Sequence, residues 1–413
     1  MLNVLIIGSV WPEPASSGAG LRMMQYMQLF RQQGWTVTFA STAAASEYMA
    51  DLDVFAVRSV TVAVNDSAFD VFIAELQPDM VLFDRFTMEE QFGWRVETVC
   101  PQALRVLETI DLHCLRHARH LRVKRDACVV QDVADADLFN DIALREIASI
   151  YRCDVSVLIS DYEMQLLEEV FSIPPALIHL CPFMFDSKCP SCPDFEPRQH
   201  FMSIGNFRHA PNWDAVLWLK QTIWPLIRSQ LAQAELHIYG SYAPPKAMGL
   251  HHPSTGFHVR GRAEDVDSVM QQARVCLAPL RFGAGIKTKL ADAMRNGTPS
   301  ITTSVGAEGM FSDGHSWGGT ITDDANVFAD AAVALYQQHE TWRQAQGHGF
   351  DILSDKFDMR RNGDVLIQRL RHVFDHLERH RVDNFYGAML RHHQHRSTEF
   401  MSRWIEVKNK LQG

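Results

Sequence analysis

Glycines and lysines crowd the start of a predicted helix in the stretch RFGAGIKTKLADAMRNGTPSITTSVGAEG, residues 281–309. Gly283 and Gly285 let the backbone approach a ligand, and the helix would direct its free N–H groups and positive dipole end at it. Lys287 and Lys289 oppose the dipole there, at a cost of roughly a few tenths of a kcal/mol each, which a bound anion would remove. We therefore predict an anion site. A glycine turn with two solvated lysines is the other interpretation.

Alternating strands and helices must position this segment. Residues 4–8 form a continuous apolar run that is typical of a strand buried on both faces, and a helix over 21–34 and a strand over 35–40 follow. Such a unit requires a parallel strand pair with a right-handed crossover. Further strands are predicted at 80–83, 104–107 and 155–159. The first half is therefore predicted to be a doubly wound α/β domain.

A proline-rich stretch without periodicity, residues 181–200, interrupts this alternation and is typical of a linker. The alternation then resumes, with strands predicted at 201–204, 236–239, 257–260 and 275–278. Because ligands bind outside the carboxyl ends of parallel strands, two such domains that face each other would share one cleft. The loops predicted to line that cleft are 8–20, 205–212 and 279–289.

Composition is that of an ordinary globular protein with more than one domain. The chain has 413 residues and a net charge of -10, which argues against a surface that coats nucleic acid. The first residues lack the basic region of a signal peptide, and no apolar run is long enough to span a bilayer, so we expect a cytoplasmic protein without a transmembrane segment. Cys189 and Cys192 form a single CxxC, which is weak evidence for zinc and more typical of a linker that happens to hold two thiols.

The stretch at residues 281–310 closely resembles the donor-site signature of glycosyltransferase family 4. The segments 12–41, 150–163, 201–219 and 235–242 are also similar to this family, so the resemblance covers most of residues 1–345. It implies the GT-B architecture, an α/β fold in which two Rossmann-like doubly wound domains face each other and a C-terminal helix crosses back to the first. The expected first, acceptor-side domain spans 1–185 together with helices in 376–413, the linker spans 186–200, and the donor domain spans 201–375.

The resemblance also implies an activity. The expected enzyme moves a hexose-type sugar from a nucleoside-diphosphate sugar to an acceptor hydroxyl with retention of anomeric configuration, in cell-surface glycan or glycoconjugate synthesis. The nucleotide sugar is a co-substrate, and we expect neither a cofactor nor a metal. A sugar-nucleotide epimerase or hydrolase of the same fold is one alternative, because a fold does not fix its chemistry. A non-catalytic nucleotide-sugar-binding protein is the other.

Two departures from the family pattern concern charge. Many members carry two glutamates eight positions apart around the donor loop, where this chain has Ala284 and Asp292; it is similar to the subgroup with a GAGIK-type loop. Many members also have an arginine and a lysine after the first strand of the second domain. Here that segment is 205–209, so the diphosphate would be held by Arg208 or by the cations of the donor loop.

Roles follow residue by residue from the resemblance. We expect Lys287 to stabilise the leaving diphosphate and to act with Asp111 and His113 as the catalytic set. Glu308 would contact the ribose, although an acidic residue at a helix start is its structural alternative. The predicted donor-binding set is Gly18, Gly20, Asn206, Arg208, Arg262, Arg281, Gly283, Gly285, Lys287, Lys289 and Glu308. The predicted acceptor-side set is Asp84, Arg85 and Glu90, for which a solvated helix start is an equal alternative.

The tail carries a basic run, Arg391-His-His-Gln-His-Arg396. It predicts a peripheral contact with a polyanion or with the inner face of the membrane, and a solvated histidine face is the simpler interpretation. The acceptor itself is left open by the sequence, between a glycan, a lipid-linked saccharide, a protein and a nucleic acid.

Overall fold

The first domain is built on a parallel sheet. The structure of the protein is a computed structural model that describes residues 2–186, 192–312 and 314–412. Within these ranges, seven strands form the first sheet in the order β3-β2-β1-β4-β5-β6-β7. They are β1 (Asn3–Gly8), β2 (Thr36–Ser41), β3 (Arg58–Thr61), β4 (Met80–Asp84), β5 (Leu104–Glu108), β6 (Val155–Leu158) and β7 (Ile178–Leu180). The helices between them are α1 (Gly18–Gln32), α2 (Ala68–Leu76), α3 (Phe86–Val99), α4 (His113–Asp126), α5 (Asp135–Leu138), α6 (Asp141–Arg152) and α7 (Asp161–Glu169).

The central strands are apolar because helices cover both faces of the sheet. Val4 in β1 pairs with Val37 in β2 and with Met80 in β4, and these side chains belong to the core on one face. Leu5 and Val81 point to a second core on the opposite face. The carboxyl ends of all these strands therefore meet at one edge, where the loops are free to bind a ligand.

The second domain repeats this plan with a sheet of six strands among the described residues, in the order β10-β9-β8-β11-β12-β13. The strands are β8 (Gln199–Ile204), β9 (Leu236–Tyr239), β10 (Phe257–Gly261), β11 (Ala273–Ala278), β12 (Ser300–Thr302) and β13 (Gly319–Ile321). The helices are α8 (Ala210–Trp218), α9 (Trp224–Gln230), α10 (Pro245–Met248), α11 (Val266–Gln272), α12 (Thr288–Arg295), α13 (Ser304–Ala307), α14 (Ala325–Gln337) and α15 (His339–Lys356). The predicted α/β class, with two facing doubly wound domains, is confirmed.

The chain returns to the first domain earlier than predicted. Phe185 pairs with residues at 357–359, and the next helix places Leu366 and Leu370 in the core of the first domain. The crossing therefore begins at Met359 rather than at 376, because the apolar face of that helix completes the first core. The returning helices are α16 (Met359–Asp375), α17 (Leu377–Asp383), α18 (Phe385–Leu390) and α19 (Arg396–Gln412).

Two further sequence expectations concern the linker and the membrane. Cys189 lies outside the described residues, and the Cys192 thiol lies 3.7 Å from the backbone oxygen of Arg295. Among the helices that the structure describes, none combines the length and the apolar character needed to cross a bilayer.

Candidate active site

The donor loop, residues 279–287 between β11 and α12, touches the first domain at Gly285. This glycine has φ of 64°, and a Cβ built on it would lie 2.8 Å from the Asp111 Cβ and 2.9 Å from the backbone oxygen of Ile110. Both the left-handed backbone and the close approach exclude a larger side chain. The glycine therefore lets the loop close against the end of β5.

Two lysines stand at the start of α12. Lys287 is only 7% exposed and donates from Nζ to the backbone oxygen of Gly285 at 2.6 Å. Lys289 donates from Nζ to Asn212 Oδ1 at 2.7 Å. Burial lowers the pKa of Lys287, and it lowers the pKa of Lys289 to about 8. Neither has an ion-pair partner in the part of the chain that the structure describes. Lys287 is buried and Lys289 half-buried, and withdrawing a cation from water without such a partner costs free energy that a bound anion would offset.

A buried ion pair crosses between the domains beside this loop. Arg119 of α4 donates to both carboxylate oxygens of Glu308, at 2.9 and 2.6 Å, and to the backbone oxygen of Gly283 at 2.8 Å. The two side chains are 0% and 2% exposed. Glu308, the predicted ribose ligand, is thus already engaged by a charge-assisted bidentate pair.

A buried carboxyl group also joins the two domains. Glu163 Oε1 accepts from the backbone N–H of Leu112 at 2.9 Å and from that of Gly285 at 2.8 Å. Burial, followed by the nearby negative charge of Asp111, raises the pKa of Glu163 to about 8. The group is therefore mostly neutral at pH 7, and it ties the donor loop to the segment after β5.

Asp111 and His113 lie at the carboxyl end of β5, as predicted. Asp111 forms an ion pair with Arg116, and its Oδ1 lies 3.5 Å from His113 Nε2. Burial disfavours the charge of Asp111, but Arg116 and the neighbouring imidazoles outweigh it and lower the pKa. Burial lowers the pKa of His113 to about 4, and that of His209, which reaches this cluster from the second domain, to about 4 as well. Both imidazoles are therefore neutral at pH 7.

The predicted acceptor-side residues separate into two groups. Asp84 ends β4, and its Oδ2 accepts from the Ser9 N–H at 3.2 Å and from the Ser9 Oγ at 2.9 Å. Arg85 donates to the same hydroxyl at 2.8 Å and acts electrostatically on His113. Glu90 instead pairs with Arg145 at 2.6 Å, with the arginine side chain 51% exposed. The structure therefore brings Asp84 and Arg85 to the cleft edge of the sheet but not Glu90.

Gly18 and Gly20 hold the first-domain loop against its neighbours. A Cβ on Gly18 would lie 2.7 Å from the Thr288 Cγ2 at the start of α12, and a Cβ on Gly20 would lie 2.5 Å from the Glu13 nitrogen. Gly18 therefore places first-domain backbone directly beside the helix start that carries the two lysines.

Asn206 and Arg208 meet the first domain at a different part of the cleft. Asn206 donates from Nδ2 to the Ser16 backbone oxygen at 3.4 Å. The Arg208 guanidinium lies 3.7 Å from the ring centroid of Tyr242, whose hydroxyl donates to Glu13 at 2.6 Å. This cluster closes the cleft around residues 13–16.

Arg262 and Arg281 are likewise engaged. The Arg262 guanidinium lies 4.3 Å from the ring centroid of Tyr48, which belongs to the first domain. Arg281 pairs with Asp214, donating from Nε at 2.8 Å. A diphosphate would therefore have to displace these contacts before either arginine could bind it.

Part of the chain matches a known protein family. Residues 198–338 match the family model of glycosyl transferases group 1. This range is part of the chain, and it is there that the chain is similar to the group 1 glycosyl transferases. The matched range contains the donor loop, both lysines and Glu308. The resemblance to glycosyltransferases predicted from the sequence is thereby confirmed for this part of the chain.

Solved structures share the fold of this chain at low sequence identity. HepE from Anabaena, in complex with UDP and glucose, is 12% identical with a TM-score of 0.67, covering 90% of this chain and 100% of its own. Sucrose-phosphate synthase from Thermosynechococcus elongatus is 15% identical with a TM-score of 0.64, covering 91% and 100%. The pneumococcal O-GlcNAc transferase GtfA, with UDP and GlcNAc, is 11% identical with a TM-score of 0.65, covering 90% and 99%.

One curated relative matches over part of its length. It is an uncharacterized 44.6 kDa protein in the cps region of Klebsiella pneumoniae, 21% identical over 165 residues. The alignment covers 38% of this chain and 42% of that protein.

The sequence analysis did not identify several residues of this candidate site. Arg119, Glu163 and His209 meet their partners across the cleft, and sequence spacing does not reveal such contacts. Two of these residues stand in stretches whose composition suggests a site. Arg119 lies in the helix after β5, which is rich in arginine and histidine, and His209 lies in the candidate phosphate-binding segment 205–209.

Proposed function

We propose that this protein transfers a hexose-type sugar from a nucleoside-diphosphate sugar to an acceptor hydroxyl with retention of anomeric configuration. The observation that carries the proposal is the buried Lys287 and half-buried Lys289 at the start of α12, neither with an ion-pair partner in the described ranges, next to the Gly18 loop. A diphosphate would give both ammonium groups such a partner, and helix N-termini favour phosphate groups.

In the proposed complex, the diphosphate contacts Lys287, Lys289 and the free N–H groups of the first turn of α12. The ribose hydroxyls approach Glu308, and the bidentate contact from Arg119 fixes the orientation of that carboxylate. Solved structures of the same fold contain UDP or UDP-glucose, which makes UDP-sugars the first donors to test. The base remains a proposal, since those proteins are distant in sequence.

The chemical step follows from the charges. As the glycosidic bond breaks, negative charge grows on the leaving diphosphate, and the buried ammonium groups stabilise it in a site of low dielectric. The acceptor hydroxyl attacks from the face on which the diphosphate leaves, and a diphosphate oxygen takes the hydroxyl proton. The sugar passes through an oxocarbenium-like state.

Asp111 and His113 are assigned to positioning the donor sugar within this step. The Asp111 carboxylate is held by Arg116, and His113 is neutral at pH 7, so both offer hydrogen bonds rather than a free nucleophile. Contacts between the domains at Gly285, Glu163 and Tyr242 exclude water from the reacting atoms.

The acceptor side is proposed around Asp84 and Arg85, in keeping with a role in cell-surface glycan or glycoconjugate synthesis in the cytoplasm. Peripheral contact with a membrane or polyanion is proposed for the C-terminal helices. In the basic run, Arg391 pairs with Glu97 at 3.1 Å and His395 contacts the same carboxylate, so both are turned inward. The exposed Phe400 and Trp404 of α19 are the side chains that favour an interface.

A two-stage experiment tests the proposal. Thermal-shift measurements with UDP-, GDP- and ADP-hexoses first identify the donor, because a ligand that binds the folded state alone raises its melting temperature. NMR of the products with a panel of hydroxyl acceptors then gives the anomeric configuration. Retention supports the proposal and inversion contradicts it. Turnover without any acceptor would indicate the epimerase or hydrolase alternative, and binding without turnover the non-catalytic one.

A further inference from the structure

A cluster of histidines occupies the amino ends of the strands in the second sheet, at the end opposite the cleft. His237 of β9 and His258 of β10 are register partners, and Glu235 directly precedes β9. The Glu235 Oε2 lies 2.9 Å from His237 Nε2 and 3.7 Å from His258 Nε2. All three ligand atoms lie within 4.8 Å of one another.

We propose that Glu235, His237 and His258 bind a zinc ion. Zinc takes imidazole nitrogens and carboxylate oxygens at roughly 2.0–2.2 Å in a tetrahedral arrangement, which places neighbouring ligand atoms about 3.3 Å apart. The separations of 2.9 and 3.7 Å bracket that spacing, so small side-chain rotations bring the three groups into range. The fourth position would be taken by water, as in other sites with three protein ligands.

Zinc binds neutral imidazole and ionised carboxylate, and these are residue types that can present such lone pairs. Among the described residues, the buried Nε2 atom of His258 has no hydrogen-bond partner, so its lone pair or proton is unused in this arrangement.

Two neighbouring groups complete the cluster. His200 of β8 stacks on His237 with ring centroids 3.9 Å apart, and burial lowers its pKa to about 4, so it adds no charge that would repel a metal. The Arg260 guanidinium lies 3.2 Å from His237 Nε2 and therefore competes with zinc for the same nitrogen. Arg260 is exposed, so it can swing into solvent when a metal binds.

The position of the site defines its role. The strand β10 is the edge of the six-stranded sheet, and it is held to the sheet through β9. Zinc would link the amino ends of these two strands. Arg262 comes directly after β10, at the carboxyl end of the strand, which lies at the cleft. We therefore assign the metal to stabilising the sheet edge that supports Arg262. It has no part in the sugar transfer, and the inference is independent of the proposed function.

The test uses the full chain after removal of metals with EDTA. Calorimetric titration with ZnCl₂ should show one strong site per chain, zinc should raise the melting temperature, and MgCl₂ should do neither. Binding of Co²⁺ in place of zinc should give the intense visible absorption of a tetrahedral site with nitrogen and oxygen ligands.

Variants locate the ion. Glu235→Ala removes an exposed ligand without opening the core and should weaken zinc binding at least tenfold, whereas Glu264→Ala, at an exposed acid beyond the carboxyl end of β10, should leave it unchanged. Arg260→Gln should tighten binding. Cys192→Ser separates this site from the CxxC of the linker and should have no effect.

Four outcomes count against the inference. If the wild-type protein binds no zinc, the cluster is only a hydrogen bond between histidine and carboxylate. Zinc binding that survives Glu235→Ala would place the ion elsewhere, and binding lost with Cys192→Ser would place it at the linker cysteines. Weaker or unchanged binding by Arg260→Gln would contradict displacement of the guanidinium.

Discussion

The start of α12 and the end of β5 face the same cleft, yet they handle their charges in opposite ways. At α12, the buried Lys287 and the half-buried Lys289 have only neutral oxygens as hydrogen-bond partners in the described structure. At β5, Asp111 has its own counter-charge in Arg116. The lysines on the donor side therefore lack an ion-pair partner among the described residues, which an anion would provide. The aspartate at the strand end on the first-domain side already has one. Under the proposed function, affinity for the diphosphate therefore rests on one domain and orientation of the sugar on the other.

Loss of a donor-side cation should have the largest effect. Lys287→Ala removes a charge that stabilises the leaving diphosphate, and we expect the transfer rate to fall by about 100- to 1000-fold. Steady-state kinetics and a melting curve measure the effect and the integrity of the fold. Lys408→Ala, on an exposed position of α19, is the control. A loss of less than about fivefold with an intact fold would remove Lys287 from the mechanism.

The next largest effect is expected at the ion pair between the domains. Glu308→Gln keeps the shape of the side chain but removes the charge that faces both Arg119 and the proposed ribose. We expect donor KM to rise about tenfold, equivalent to about 1.4 kcal/mol of binding, with a smaller fall in kcat. The melting temperature should also drop, because Arg119 loses a buried partner. A fall in kcat with unchanged KM would count against a ribose contact.

The dependence of donor binding on pH is a smaller and more specific effect. The pKa of Lys289 in the folded protein is lowered to about 8, so between that pH and its ordinary value near 10.5 the free site holds a neutral amine. A diphosphate favours the ammonium form, and binding above pH 8 therefore takes up a proton. Affinity should fall with rising pH, by up to about tenfold per pH unit.

The stability of the unliganded protein should change with the opposite sign. Between pH 8 and 10.5 the unfolded chain binds more protons at Lys289 than the folded chain, so this group makes stability rise with pH. The arginine in Lys289→Arg keeps its charge over this pH range. The variant should therefore show a weaker dependence on pH of both donor affinity and stability. Calorimetry of UDP binding and urea unfolding over pH 7 to 10 measure the two. Equal profiles for the wild type and the variant would refute the assignment of the titration to Lys289.

The smallest effect is expected at Glu163. Because its pKa is raised to about 8, the side chain at pH 7 is mostly a neutral acceptor for the N–H groups of Leu112 and Gly285. Glu163→Gln should keep activity within about threefold of the wild type at pH 7, whereas Glu163→Leu, which leaves both N–H groups unpaired, should lose much more. Equal losses in the two variants would show that the negative charge itself is needed.

The contrast between the two sides also explains what the sequence could reveal. The donor loop concentrates Gly283, Gly285, Lys287 and Lys289 within seven residues of one another, so its composition and spacing alone predicted an anion site. The alternation of apolar runs predicted both sheets. Contacts across the cleft have no such local pattern, since Arg119 and Glu308 are far apart in the chain.

Two errors have similar physical causes. The apolar face of helix α16 does not reveal in the sequence which domain it packs on. In the structure it packs on the first core, so the crossing begins at Met359 and not at 376. Glu90 was grouped with Asp84 and Arg85 because it follows the same strand, but one turn of helix directs it toward Arg145 and solvent. The histidine cluster was missed because His237 and His258 are far apart in sequence and meet only through strand pairing.

The most direct test of the central claim is hydrogen–deuterium exchange with and without UDP. If a diphosphate occupies the start of α12, the first-turn amides of that helix and the backbone near Gly18 should become protected together, and Lys287→Ala with Lys289→Ala should abolish the effect. UDP that binds with protection elsewhere, or that protects the double variant equally well, would contradict the account.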